Sequence, residues 1–259
     1  MTDVQNLLEI AKDAALDAGK VVMEIYQSGE FETSIKAGAA PVTKADKRSH
    51  TIITRRLDKT HLPVLSEEGG DIDFEKRKRW EYFWLVDPLD GTKEFINRNG
   101  EFTINVALVR RNVPVGGVIY VPCIDTLYSG SKEKGASKNE KGNLVEFPVL
   151  AERTQFKDLL QREHITVIAS RSHMNSETKN FIDQFQNVKL LSLGSSLKFM
   201  SLLENSADIY PRLGSTMEWD TAAAHAILNA SNRGVYQANL KSELLYNKPD
   251  LTNPFFIAF

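Results

Sequence analysis

Apolar residues recur with helical spacing at the start of the chain. Between residues 4 and 26 they return every three or four positions, and Gly29 follows as a suitable helix stop. A second helical pattern covers residues 45–59 and is ended by Pro63. The pattern therefore predicts two amphipathic helices in the N-terminal region.

Short apolar or alternating runs follow, and they predict strands. In the first half these runs cover residues 64–65, 82–86, 102–109, 115–121, 126–129 and 141–147. Residues 112–114 separate two of the runs and predict a hairpin. The first half is thus expected to combine two helices with a mainly antiparallel sheet.

The pattern changes after residues 150–163, which are charged and irregular. Predicted strands (165–169, 188–193, 208–210) then alternate with predicted helices (175–185, 195–204, 221–230). This alternation is typical of an α/β unit. We predict two lobes, an α+β lobe of residues 1–155 and an α/β lobe of residues 156–259.

Composition narrows the possible functions. The 259 residues include 32 basic and 34 acidic side chains, so the net charge of −2 argues against a nucleic-acid partner. The single cysteine, Cys123, excludes an internal disulfide framework and a multi-thiolate zinc site, and it fits a reducing compartment. With no signal peptide and no membrane-length apolar stretch, we predict a cytoplasmic protein.

Two carboxylates stand directly after the apolar run at residues 82–86. Asp87 and Asp90 are separated by Pro88 and followed by Gly91, which predicts a turn that aims both side chains at one point. Carboxylates that close repel one another, and a hard divalent cation offsets this repulsion. The carbonyl of Leu89 is a further oxygen ligand within the same turn.

Other acidic residues are expected at the same end of the sheet. Glu67 and Glu68 follow the predicted strand at 64–65, and Asp220 begins an alanine-rich helix. Four of these five carboxylates, drawn from three segments, suit two or three Mg²⁺ ions. On pattern alone an alternative stays open, in which Asp87 and Asp90 only form a turn and Asp220 only caps its helix.

A phosphate site is predicted beside the acidic residues. Gly91 and Thr92 open a helical turn that runs to Phe95, and the free N–H groups of such a turn favour an anion. Metal ions beside a phosphate suit phosphoryl transfer to water. The chain carries no nucleophile elbow, phosphate-binding P-loop or zinc-protease motif.

Three separated motifs resemble the lithium-sensitive, magnesium-dependent inositol monophosphatase superfamily. They are Ser-Glu-Glu at residues 66–68, Asp-Pro-Leu-Asp-Gly-Thr at 87–92, and Glu-Trp-Asp-Thr-Ala-Ala-Ala-His at 218–225. Asp-Gly-Thr-Lys-Glu-Phe at 90–95, followed by Asn-Gly-Glu-Phe-Thr at 99–103, is most similar to the CysQ-type 3'(2'),5'-bisphosphate nucleotidases of that superfamily.

This resemblance implies a mixed α/β (α+β) fold, arranged as a layered αβαβα sandwich. It also implies a lithium-inhibited reaction that removes the 3'-phosphate of adenosine 3',5'-bisphosphate and yields AMP and phosphate. This reaction would clear a by-product of sulfate assimilation. By position, the implied metal ligands are Glu67, Asp87, the Leu89 carbonyl, Asp90 and Asp220. The implied catalytic residues are Asp46 and Thr92, which orient and deprotonate water, together with Glu67.

The resemblance places substrate recognition largely in the second lobe. The candidate substrate-binding residues are Gly91, Thr92, His173, Gly194, Ser195, Lys198 and Arg212. Gly194 and Ser195 precede a predicted helix, so their amides are candidates to bind the ribose or a phosphate. In the alternative interpretation, Ser195 is an ordinary helix cap and the two cations are solvated surface charges.

Three further alternatives stay open. The same metal site serves phosphatases of inositol phosphates or of fructose 1,6-bisphosphate. A catalytically silent homologue that binds a nucleotide as a sensor belongs to a different class, although every expected carboxylate is present here. Some bacterial relatives are peripheral to the inner membrane, so the resemblance also allows that position, although no amphipathic anchor or lipidation motif is visible.

Overall fold

The computed structural model describes residues 3–35, 41–169 and 175–259. Its α-helices are α1 (Val4–Ser28), α2 (Lys44–Leu57), α3 (Phe74–Arg77), α4 (Thr92–Ile96), α5 (Phe156–Leu159), α6 (Ser176–Ile182), α7 (Leu197–Leu203) and α8 (Ala222–Ala230). Short 3₁₀ turns cover Asp58–Thr60, Pro122–Ile124 and Glu218–Asp220. All predicted helices are present, within a few residues of their expected ends.

The strands of the first half are β1 (Ser34–Ile35), β2 (Pro41–Val42), β3 (Val64–Ser66), β4 (Tyr82–Asp90), β5 (Thr103–Arg110), β6 (Val113–Val121), β7 (Thr126–Ser131), β8 (Gly135–Glu140) and β9 (Asn143–Phe147). Those of the second half are β10 (Ile165–Ile168), β11 (Val188–Leu191), β12 (Tyr210–Arg212), β13 (Val235–Gln237) and β14 (Phe256–Ala258). The sequence pattern did not indicate β8, β13 or β14, which are short or rich in polar residues.

The ends of α1 follow from local chemistry. The carboxylate of Asp3 accepts hydrogen bonds from the N–H groups of Gln5 and Asn6, and so satisfies two donors of the first turn. At the other end Gly29 adopts a left-handed conformation with φ of 74°. The predicted stop at Gly29 is confirmed.

Seven strands form the large sheet in the order β3-β4-β5-β6-β7-β8-β9. Only β3 and β4 are parallel; every other neighbouring pair is antiparallel, including the predicted β5–β6 hairpin. One prediction here was wrong, because residues 87–90 do not form a separate turn. They continue β4, and a register shift against β5 between Asp87 and Asp90 accommodates Pro88.

The layers alternate as predicted for an αβαβα sandwich. Helices α1 and α2 cover one face of the large sheet, and α8 covers the other face with α7 beside it. Beyond α7 lie the parallel pair β10–β11 and the antiparallel sheet β12-β14-β13. Phe156 and Phe181, on α5 and α6, pack with Phe259 and close the outer side.

The second half of the chain contributes directly to the core of the large sheet. Helix α8 lies so close to β6 that a β-carbon added to Gly117 would stand 2.2 Å from the carbonyl oxygen of Ala223. The division into lobes at residue 155 stays a prediction. Within the described part of the chain, no helix has both the length and the apolar character needed to cross a membrane.

Candidate active site

The end of β4 presents two carboxylates and a carbonyl. Asp87 is 2% exposed, and its Oδ1 accepts the N–H of Leu89 at 3.0 Å. Asp90 closes the strand and is half-buried. The register shift between these two aspartates brings both to the same end of the sheet, as the sequence motif predicted.

Glu67 reaches this point because β3 and β4 are parallel. It directly follows β3, and its N–H donates to the carbonyl of Val86 at 3.1 Å, one residue before Asp87. Asp220 arrives from the other half of the chain, as the last residue of a 3₁₀ turn. Its carboxylate accepts the N–H of Met217 at 2.8 Å.

Asp220 is not the cap of the following helix. The N-cap position of α8 belongs to Thr221, and no side-chain cap bond is present there. The alternative in which Asp220 serves only as the cap of α8 is therefore wrong. Its position is instead determined by the 3₁₀ turn that precedes the helix.

The carboxylates interact through their charges. Burial raises the pKa of Asp87 well above its ordinary value, and the negative charges of Glu67, Asp90 and Asp220 raise it further. Burial and the charge of Asp90 likewise raise the pKa of Asp220, to about 8. The four predicted carboxylate ligands therefore lie together, and their mutual repulsion raises the pKa of Asp87 and Asp220, although the positive charge of Arg212 acts on Asp220 in the opposite direction.

This donor set fits Mg²⁺. Among the described residues, no three His, Cys, Asp or Glu side chains are grouped so that they alone hold one ion. Mg²⁺ does not need such a group, because it usually binds one or two carboxylates and completes its shell with water and phosphate oxygens. Hard oxygen donors, here the carboxylates and the adjacent Leu89 carbonyl, are what that ion prefers.

Asp46 and Thr92 lie together beside this cluster. Asp46 is the third residue of α2, and its Oδ2 accepts the N–H and the hydroxyl of Thr43 at 2.8 and 2.6 Å. The Thr92 hydroxyl lies 3.1 Å from Asp46 Oδ1 and 3.3 Å from the Leu89 carbonyl oxygen. Burial raises the pKa of Asp46, although the bonds from Thr43 oppose the rise.

Gly91 allows α4 to start immediately after Asp90. Its φ of +90° is a conformation that glycine adopts without strain. A β-carbon there would also meet the carbonyl oxygen of Glu101 at 3.2 Å and the β-carbon of Ser195 at 3.3 Å. The predicted helical turn from Thr92 is present as α4.

Polar side chains of Ser196, Asn105 and Thr103 lie around Asp90 and were missed by the sequence analysis, which named Ser195 alone of this group. The hydroxyls of Ser195 and Ser196 donate to Asp90 Oδ2 at 2.6 and 3.2 Å, and Asn105 Nδ2 lies 3.4 Å from the same atom. Thr103 Oγ1 is 2.6 Å from Ser195 Oγ. A signal existed, since Thr103 and Asn105 are polar residues on one face of an otherwise apolar strand.

In the segment before α7, the alternative interpretation with Ser195 as the helix cap is wrong. Ser196 holds that position, and the Ser195 hydroxyl bonds Asp90 instead. The N–H of Gly194 donates to the Glu101 carboxylate at 2.8 Å, so this amide is already used within the protein. Binding of a ligand by the Gly194 and Ser195 amides stays a prediction.

Lys198 and Arg212 are half-buried rather than fully solvated. The Lys198 ammonium donates to the Ser195 carbonyl at 2.9 Å and lies 5.8 Å from the centre of the Tyr210 ring. Burial lowers the pKa of Lys198, and the charge of Asp90 opposes this. Arg212 donates through Nη2 to the Ser215 carbonyl at 3.2 Å, while its buried Nε has no hydrogen-bond partner in the described structure.

His173, the remaining candidate, lies outside the described residues. His225 follows Asp220 in the sequence motif and is not part of the site. It is 1% exposed, and its ring nitrogens lie 2.9 Å from the Tyr246 hydroxyl and 3.2 Å from Glu243. His225 is therefore a buried, hydrogen-bonded structural residue.

The layered sandwich and the acidic centre at the end of its large sheet define a class of α/β proteins with a metal-binding carboxylate site. Within that class, the chain belongs to the inositol monophosphatase family, whose profile matches residues 3–254. Members of this family are metal-dependent, typically on Mg²⁺. The family predicted from the three motifs is confirmed.

Individual relatives agree with this assignment. The chain is similar to the 3'(2'),5'-bisphosphate nucleotidase CysQ of Salmonella typhimurium, with 40% identity over 253 residues, 96% of this chain and 98% of the relative. The crystal structure of CysQ from Bacteroides thetaiotaomicron superposes with a TM-score of 0.82 at 44% identity, covering 98% of this chain and 96% of the other. An inositol monophosphatase from Anabaena, at 24% identity, shares the fold with a TM-score of 0.72 over 99% and 91% of the two chains.

Proposed function

We propose that this protein is a magnesium-dependent phosphomonoesterase that removes the 3'-phosphate of adenosine 3',5'-bisphosphate and yields AMP and phosphate. The observation that carries the proposal is the meeting of Glu67, Asp87, Asp90 and Asp220 at the end of β4, with Asp46 and Thr92 beside them. The relatives named as bisphosphate nucleotidases, which span almost the whole chain, support the choice of substrate.

The four carboxylates and the Leu89 carbonyl would hold two or three Mg²⁺ ions. Bound Mg²⁺ supplies positive charge that neutralises the phosphoryl oxygens and eases the deprotonation of water. The carboxylates are placed by backbone structure: β4 carries two, the parallel β3 presents Glu67, and the 3₁₀ turn presents Asp220. Oxygen ligands held in this way need little reorganisation when the ions bind.

Asp46 and Thr92 would handle the proton of the attacking water. When the Thr92 hydroxyl donates to Asp46, its oxygen is left as an acceptor for a water hydrogen bond. The proton then passes from water to the threonine oxygen while the threonine proton passes to Asp46. The raised pKa of Asp46 favours this transfer, because it makes the carboxylate a better base.

Lys198 and Arg212 would favour a substrate with a second phosphate. Both cations are half-buried, and the Lys198 ammonium is close enough to Asp90 and Asp220 to feel their charge. A cation beside the reacting centre suits the second phosphate of a nucleotide, which inositol 1-phosphate lacks. The net charge of −2 supports a small-molecule substrate rather than a nucleic acid, and the free Cys123 supports a cytoplasmic setting.

Phosphate release from three substrates tests the proposal. Adenosine 3',5'-bisphosphate, inositol 1-phosphate and fructose 1,6-bisphosphate should be compared side by side with Mg²⁺, and the nucleotide should give the highest kcat/KM. Preference for either other substrate would contradict the nucleotide assignment and leave the metal site standing. No Mg²⁺-dependent hydrolysis of any of the three would contradict the enzyme assignment.

Two variants separate the metal site from the specificity site. Asp90→Asn should remove most turnover without unfolding the chain. Asp17→Asn, which changes an aspartate paired with Lys20 on α1 and with Arg56 on α2, should leave turnover unchanged. Lys198→Met should raise KM for the nucleotide about 10-fold or more and change KM for inositol 1-phosphate far less. Lys138→Met, at a half-buried lysine paired with Glu204, is the matched control.

A further inference from the structure

A buried arginine ties the loop after Glu67 to a distant part of the chain. Arg77, the last residue of α3, is 3% exposed. Its Nε donates to the Ile72 carbonyl at 2.8 Å, and Nη1 donates to Asn247 Oδ1 at 2.7 Å and to the Lys248 carbonyl at 3.2 Å. One guanidinium thus holds the loop that precedes α3 and the segment around residue 247.

Asn247 continues this connection in two directions. Its Nδ2 donates back to the Arg77 carbonyl at 2.9 Å, so the two residues exchange a pair of hydrogen bonds. Its backbone N–H donates to Glu218 Oε2 at 2.5 Å. With φ of +60°, Asn247 occupies the left-handed region, which asparagine tolerates better than most residues.

Glu218 is the far end of the connection. It is fully buried, and its carboxylate also accepts the N–H of Lys248 at 3.0 Å and pairs with the Lys248 ammonium. Burying an unpaired carboxylate is costly, but here the donors satisfy it on both oxygens. The side chain is therefore held in one orientation.

The two ends of this chain of hydrogen bonds adjoin two of the candidate metal ligands. Glu218 lies two residues before Asp220 in the same 3₁₀ turn. At the other end, the loop that Arg77 holds begins immediately after β3, where Glu67 stands. Glu67 and Asp220 come from opposite halves of the sequence, so a long-range connection has to set their separation.

Close packing alone does not set the separation between the Glu67 loop and the Asp220 turn. A cavity of about 420 Å³ lies between the two segments, and its lining includes Glu67, Arg77, Trp219 and Leu251. Apolar contacts across a cavity tolerate sliding, whereas hydrogen bonds from a planar guanidinium define direction as well as distance. Outer partners of metal ligands usually matter for this reason.

We propose that Arg77, Asn247 and Glu218 are positioning residues, which hold the Asp220 turn at a fixed place relative to the loop after Glu67 and thereby set the affinity for Mg²⁺. The inference rests on the proposed metal site. It assigns these three residues no contact with the substrate. Their loss should therefore weaken ion binding before it affects the chemical step.

Isothermal titration of Mg²⁺ into the substrate-free protein, well below the unfolding temperature, tests the proposal. Arg77→Met should weaken Mg²⁺ binding about 10-fold or more. The Mg²⁺ concentration for half-maximal turnover should rise by a similar factor, while kcat at saturating Mg²⁺ changes much less. Asn247→Gly is the second variant, because glycine keeps the left-handed backbone unstrained and removes only the bonds with Arg77.

Arg233→Met is the matched control. Arg233 is another buried arginine, 7% exposed, which bonds Ser231 and Asn205 away from the carboxylates. It should lower the unfolding temperature and leave Mg²⁺ affinity unchanged. Equal affinities in wild type, Arg77→Met and Asn247→Gly would overturn the inference, whereas a wild-type protein that binds no Mg²⁺ would overturn the proposed function itself.

Discussion

Replacing Gly117 with alanine tests how closely the second half of the chain must approach the large sheet. Gly117 lies on β6, opposite the first turn of α8. The added β-carbon would stand 2.2 Å from the carbonyl oxygen of Ala223 and 3.0 Å from its α-carbon. Because these are backbone atoms, no side-chain rotation relieves the overlap.

The required movement can be read from the same distances. Ordinary van der Waals contact begins near 3.4 Å, so α8 would have to move away from β6 by about 1.2 Å. Overpacking of this kind costs about 3 kcal/mol. For a chain of this length that lowers the unfolding temperature by about 6–12 °C. Asp220 stands three residues before Ala223, and a displacement of about 1 Å at a reacting centre reduces turnover about 100-fold.

Gly116→Ala is the control. The β-carbon at residue 116 would meet the end of the Leu8 side chain at 2.9 Å, and a side chain can rotate away. It should cost about 1 kcal/mol and leave turnover nearly unchanged. Thermal unfolding and phosphate release would be measured on both variants. Equal stability and equal turnover in the two would refute the close approach of α8 to β6.

Three further predictions concern other parts of the molecule. Bonds from His225 and Arg153 outweigh burial and lower the pKa of Glu243 from 4.5 to about 2, so its stabilisation is full above pH 4.5 and is lost as pH falls toward 2. Glu243→Gln should therefore lower the free energy of unfolding at pH 7 by at most about 3 kcal/mol, and the variant should lose less stability than the wild type when the pH falls. Denaturant unfolding at several pH values measures this, and a constant difference between the two proteins at every pH would contradict it. Phe95→Ala removes a fully buried ring that contacts Tyr26 and Phe102, and should lower the free energy of unfolding in urea by about 3–5 kcal/mol. Lithium at millimolar concentration should inhibit Mg²⁺-dependent phosphate release, and full activity in its presence would place the protein outside the lithium-sensitive branch.

Helices and hairpins with strong local patterns were predictable from the sequence. The apolar stripe and Gly29 define α1, and Thr43 with Asp46 forms the capping box that begins α2. The β5–β6 hairpin follows from two apolar runs with a short polar break. These elements depend on contacts between residues that are near one another in the chain, so a short stretch of sequence is enough to predict them.

Elements without a local pattern were not predictable. Strand β8 is rich in polar residues, and only its pairing with β7 and β9 identifies it as a strand. The continuation of β4 through Pro88 also requires its partner, because proline normally argues against a strand and only the register shift against β5 accommodates it.

The candidate site divides in the same way. The sequence alone determined the family, the acidic motifs and the order in which they occur, because each motif is a short run with its own chemistry. Only the tertiary structure decided that Ser195, 105 residues from Asp90 in sequence, bonds its carboxylate, that Glu101 takes the Gly194 amide, and that Arg77 reaches Asn247. Such contacts depend on how sheets and helices pack over long sequence separations, and no local pattern of residues specifies them.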